Sequence, residues 1–165
     1  MLLTLALSLV LILSLCLLLY AAVALIQNKR LFGSAPKDIQ AAAKEHPERF
    51  PGAHALGWKL AILSVFLMAG AFVYGGYDGL KNGFSFWQLF LRFLVMLYLW
   101  KAFDIVCLDW LLLTKSHFFQ HFYPETEGCA GYHQFGFNRK EQLTRIIVFP
   151  FVAALMAGIA LWIGG

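Results

Sequence analysis

Residues 2–26 read LLTLALSLVLILSLCLLLYAAVALI. This run carries no charge, and at about 1.5 Å of rise per residue a helix of its length crosses the roughly 30 Å hydrocarbon core of a bilayer. A cleaved secretory signal is the competing reading, because Ala22 and Ala24 form an A-x-A. The apolar run is too long for one, and it lacks a cationic lead-in. The stretch therefore predicts a first transmembrane helix, closed by Gln27, Asn28, Lys29 and Arg30.

Working outward, three further apolar runs predict spans over residues 57–74, 84–113 and 146–163. Trp58 and Lys59 anchor one end of the second and Tyr74 and Tyr77 the other, as amphipathic side chains do at headgroup level. With 61% hydrophobic and only 13% charged residues, the 165-residue chain falls outside the soluble class, where about a quarter of residues are charged. The expected fold is all-α: one polytopic domain, a four-helix transmembrane bundle with a cytoplasmic, partly helical interfacial loop cap.

The loops set the expected orientation. Lys81 is the only Lys or Arg in the short turn 75–83, while the long polar segments 29–55 and 114–145 hold most of the others. By the positive-inside rule both long loops face the cytoplasm of a bacterial inner membrane and both termini face out. The net charge of +4 is spread over these loops with no basic stripe, so nucleic acid is not an expected partner. In the first loop Pro36 to Glu45 predicts a short helix, with Asp38 near the positive end of its dipole.

The third run, unlike the others, carries Arg92, Lys101, Asp104 and Asp109. Arg92 is placed to snorkel toward the outer interface. An unpaired charge at the bilayer centre costs about 2.5 to 3.5 kcal/mol on the insertion scale, so Lys101 and Asp104 are expected to pair inside the bundle. The pair reads equally as a structural ion pair and as the relay of a small oligomeric transporter.

Residues 115–140, KSHFFQHFYPETEGCAGYHQFGFNRK, are the densest in chemistry. His117 and His121 are four apart. On a continuing helix they would share a face at a usable metal-ligand spacing, and they are the candidate metal ligands. No established zinc pattern accompanies them, and the cofactor is unknown. Asp104, Asp109, His117, His121, Glu125, Glu127 and His133 are the candidate acids and bases. Asn138, Arg139 and Lys140 are the candidate contacts for a lipid headgroup or other anion. In the first loop, residues 45–54 form a turn-rich group around His46 and His54 that the topology puts on the same side as His121. Cys16, Cys107 and Cys129 form no disulfide framework, and Cys129, among polar residues, is the one to test for reactivity.

Four stretches, APKDIQ (35–40), HPERFPG (46–52), FDIVCLDW (103–110) and PETEGCAGYHQFGFNRK (124–140), together resemble a family of small bacterial four-span integral membrane proteins with no assigned activity. The resemblance implies the architecture and carries over no catalytic residue. Three functional classes follow. The first is a lipid-associated membrane enzyme or binding module with a cytoplasm-facing His/Glu/Asp site. The second is a non-catalytic subunit or assembly factor that docks on a membrane-protein partner, or on its own copy, through the small-residue faces at Ala71/Gly75 and Ala154/Gly158. The third is the transporter using Lys101 and Asp104.

Overall fold

The computed structural model describes residues 1–33 and 35–164, and among them every regular element is helical. Helix α1 (Leu2–Tyr20) winds on as a π-helical segment, Ala21–Ile26, which Gln27 ends in the left-handed region at φ 49°. After a 3₁₀ turn (Lys29–Phe32) comes α2 (Lys37–Ala42), with Pro36 as its N-cap, where the first loop was expected to be helical. Helix α3 (Ala53–Lys81) and helix α4 (Phe86–Phe103) follow, and α4 continues as a second π-helical segment, Asp104–Lys115. The short helix α5 (Phe118–Phe122) and two 3₁₀ turns (Pro124–Thr126 and Ala130–His133) lead to α6 (Arg139–Gly164).

Three of these helices, Leu2–Ile26, Ala53–Lys81 and Arg139–Gly164, are long and apolar enough to cross a membrane, and they support a membrane location. The helix boundaries correct the sequence reading in two places. The second helix does not stop at Tyr74. Gly75, Gly76 and Gly79, which read as a turn, lie inside α3 and are buried. A Cβ on Gly75 would come within 3.3 Å of Leu7 Cδ1 and 3.6 Å of Met96 Sδ. These glycines let neighbouring side chains approach the α3 backbone, a use of small residues common between membrane helices. The third helix, in turn, does not run on through His121. It ends at Lys115, because Ser116 is extended (φ −103°, ψ 164°) and its hydroxyl bonds back to Leu112 O.

The chain divides into two compact units. The first comprises residues 1–14, 65–102 and 140 onward, around a core of Leu7, Leu11, Leu89, Phe93, Met96, Phe149 and the small Ala71, Ala153 and Ala157. Its most unusual buried group is Arg92, 6% exposed, whose Nη1 donates to Gly75 O (2.7 Å) and Asp78 Oδ2 (2.8 Å). The Arg92 guanidinium thus closes the α3–α4 hairpin from inside. The second unit comprises residues 15–64 and 103–139. Val23, Ile39, Ala43, Leu113, Phe119, Tyr123 and Tyr132 form its main core, and Ala21, Ile26 and Ala61 a smaller one.

Candidate functional site

The second unit brings the two long loops together. Glu125 is the centre of that junction. Its Oε1 accepts from Lys44 N (2.8 Å), and both carboxylate oxygens meet His46 Nε2, at 3.0 and 3.1 Å. Burial alone would push this carboxyl up, but the bonds from the Lys44 backbone and its own backbone, with the His46 ring, outweigh it and hold the group below its ordinary value. The His46 ring stands edge-on to Tyr123, with centroids 5.3 Å apart. Tyr123 is fully buried, and burial followed by the Glu125 charge pushes its phenol up.

Three more ties join the same loops. Asp38 Oδ2 accepts from Gly131 N (2.7 Å), so the acid expected to favour its own helix end also docks the second loop. Gln27 Nε2 donates to Phe122 O (3.2 Å), and the Arg49 guanidinium lies 5.0 Å from the Phe122 ring centroid. Deeper in the unit Thr126 and Tyr132 share a hydroxyl hydrogen bond of 2.6 Å. These groups thus find partners across the junction as the physics of burial requires, and the loops form one cap.

Beneath the cap lies a cavity of about 100 Å³, lined by Ala22 and Val23 from the first π segment and by Asp104, Leu108, Asp109 and Leu113 from the second, with Leu31, Ala35 and Phe119 closing it. The lining residues explain the winding. In a π-helix the hydrogen bonds run from i to i+5, so positions five apart stack on one face, whereas in an α-helix they diverge. Asp104 and Asp109, and likewise Leu108 and Leu113, are such pairs. Asp109 is further oriented by Asn138, whose Nδ2 donates to Oδ2 at 3.1 Å.

The other candidates are distributed differently. His117, the N-cap of α5, and His121 are joined by a backbone bond, His121 N to His117 O, of 2.9 Å, and both side chains are exposed. Glu127, His133, Arg139 and Lys140 are also exposed. Among the described residues no group of three or more His, Cys, Asp or Glu side chains is arranged to hold a metal. Lys101 is buried, 3% exposed, in the first unit. All three cysteines are free, and burial followed by the Asp38 charge pushes the Cys129 thiol up, away from the reactive thiolate. The roles of Gln27, Asp38 and Lys44 N are not legible in the sequence, because each bond has a backbone group as one of its partners. His46 carried a signal, since its loop was placed on the side of His121.

No known protein family matches the chain, nor does any curated protein or solved structure.

Proposed function

We propose that the protein is a four-span integral membrane binding module that receives the ammonium end of an amine ligand, most simply an aminophospholipid headgroup, in the cavity under its cap. The observation that carries this reading is the cavity itself, which two π-helical segments line and to which the second contributes two carboxylates, Asp104 and Asp109. Lengthened π winding is uncommon and recurs at functional sites. A carboxylate in a low-dielectric wall attracts an ammonium more strongly than it would in water. A cavity of about 100 Å³ admits a primary ammonium and a few waters but not a whole headgroup, and lies below the size of most ligand pockets, roughly 300 Å³ and up.

Four spans are supported by the cap. Residues on either side of the α3–α4 hairpin meet there, at His46 and Glu125, so the chain between them crosses the bilayer an even number of times. If α3 crosses once, the helix running from 86 to 115 must cross back. The positive-inside rule then puts the cap in the cytoplasm of a bacterial inner membrane, with Arg139 and Lys140 at the level of anionic headgroups.

The test is a lipid titration of detergent-solubilised protein followed by native mass spectrometry. Wild type should retain phosphatidylethanolamine more strongly than phosphatidylcholine, whose trimethylated nitrogen is too bulky, and Asp104→Asn with Asp109→Asn should erase the preference. Equal retention of the two lipids by wild type, or an unchanged preference in a folded double variant, would sink the reading.

A second reading, a subunit that docks on another membrane protein or on its own copy, is favoured by an apolar groove of about 380 Å³ in the first unit, floored by Gly76 and Ala160 and walled by Phe72, Leu80, Met156 and Ile163. Small floors of this kind suit helix–helix packing.

A further inference from the structure

The Arg92 hairpin holds a second cavity, of about 380 Å³, lined by Thr4, Phe84, Gln88, Leu91, Arg92 and Val95 among others. Its walls are largely apolar, and its size falls within the range of small-molecule sites, roughly 300 to 1,000 Å³. Met1 also lines it, and Arg92 is the cationic side chain in its wall. Both hydrogen bonds of that guanidinium leave from Nη1, to Gly75 O and Asp78 Oδ2, and Phe84 covers the group with its ring centroid 4.4 Å from Cζ. Nε is buried and has no hydrogen-bond partner among the described residues. A guanidinium recognises an oxyanion best through two parallel N–H donors on one edge, and the edge holding Nε is the one that neither Asp78 nor Gly75 takes. A buried donor left without an acceptor is unfavourable, so an ion pair with Asp78 alone is an incomplete account of Arg92.

The position of the site identifies what reaches it. Tyr74, Tyr77, Trp87 and Trp162 are all exposed on helices of this unit, between 51% and 84%. A Cβ on Gly164 would touch Leu80, which brings the end of α6 beside the turn after Lys81. The aromatic girdle therefore marks this end of the unit as the membrane interface. Arg92 lies six residues into α4, about 9 Å along its axis, at the depth of the glycerol and headgroup region. Within residues 65–102 the ionisable cations Lys81, Arg92 and Lys101 outnumber the single acid, Asp78.

From these observations we infer that the Arg92 cavity is a binding site for an acidic membrane lipid, its oxyanion on the Nε edge of Arg92 and its chain along Leu91, Val95 and Phe84. The site goes beyond the amine cavity proposed above and shares no residue with it, so each can fail alone.

Native mass spectrometry of the solubilised full chain with phosphatidylglycerol, against phosphatidylcholine, tests it. Wild type should prefer phosphatidylglycerol. Arg92→Lys keeps the charge for Asp78 but removes the fork, and should weaken phosphatidylglycerol binding about tenfold, the worth of one charge-assisted hydrogen bond. Val95→Phe fills the cavity without touching the ion pair and should weaken it comparably, so the test survives if the Lys variant does not fold. Equal binding of the two lipids by wild type overturns the inference, as does full phosphatidylglycerol binding by a folded Val95→Phe protein. Displacement of the lipid by inorganic phosphate alone also overturns it, because the site would then be one for a free anion.

Discussion

Glu125 accepts from the Lys44 backbone and the His46 ring at once, and that double engagement makes its charge a stability term. Its carboxyl ionises more readily in the fold than the ordinary value of 4.5. A group whose folded value is depressed contributes stability fully above its unfolded value, and the contribution is lost as pH falls through the folded one. Glu125→Gln should therefore lower stability at neutral pH by about 1 to 3 kcal/mol, the cost of breaking charge-assisted bonds at a partly buried site. The gap between variant and wild type should close below pH 4.5, and thermal unfolding in detergent across pH reads both effects. A gap that persists unchanged in acid would show that the amide fails for reasons of shape, not charge. At this scale the sequence is legible in kind but not in direction. Asp104, Asp109 and Glu125 line the cavity or knit the cap, while His117, His121, Glu127 and His133 face outward. The difference depends on the break at Ser116 and on the turns around Pro124 and Gly128, where Gly128 takes φ 85°. Spacing on an assumed continuous helix cannot report those turns. Arg92 with Asp78 escaped for a related reason, since Asp78 read as part of a turn.

Helix α3 holds two glycines that test how its faces differ. A Cβ on Gly57 would lie 2.7 Å from Ile26 Cγ1 and 2.9 Å from Leu25 Cβ, whereas one on Gly70 meets nothing within 4 Å. Gly57→Ala should cost about 1 to 3 kcal/mol through overpacking against the first π segment. Gly70→Ala should stabilise by up to about 1 kcal/mol, because it only improves helix propensity. Paired unfolding measurements decide the matter, and equal shifts in the two variants would mean that α3 does not press on Ile26. Gly131→Ala belongs with Gly57: its Cβ would meet Asp38 Oδ1 and Pro36 Cβ, each at 2.5 Å, and should loosen the cap by a similar amount, seen as faster amide exchange in residues 124–134. The existence of the long helices and of α2 is readable from apolar runs, Pro36 and the alanines that follow. The π winding is not. Over residues 104–115 most side chains are apolar, so the small change of period leaves no pattern in the residue order, and only the choice of lining residues reveals it.

For the whole molecule the decisive quantity is parity. Three helices are apolar enough to cross a membrane without help, whereas the helix from 86 to 115 carries Arg92, Lys101, Asp104 and Asp109. Under the proposed four-span reading this helix crosses as well, which keeps His46 and Glu125, in contact with each other, on one side of the bilayer. In a background without native cysteines, single cysteines at the exposed positions Glu48, Gln134 and Asn82 give the test. A membrane-impermeant maleimide added to intact cells should label Asn82→Cys and spare Glu48→Cys and Gln134→Cys until the cells are opened. Glu48→Cys and Gln134→Cys on opposite sides would break the cap and remove the fourth crossing with it. Both labelled from outside, with Asn82→Cys protected, would keep the four spans but invert them. The cap and the cavity beneath it would then face the outer leaflet.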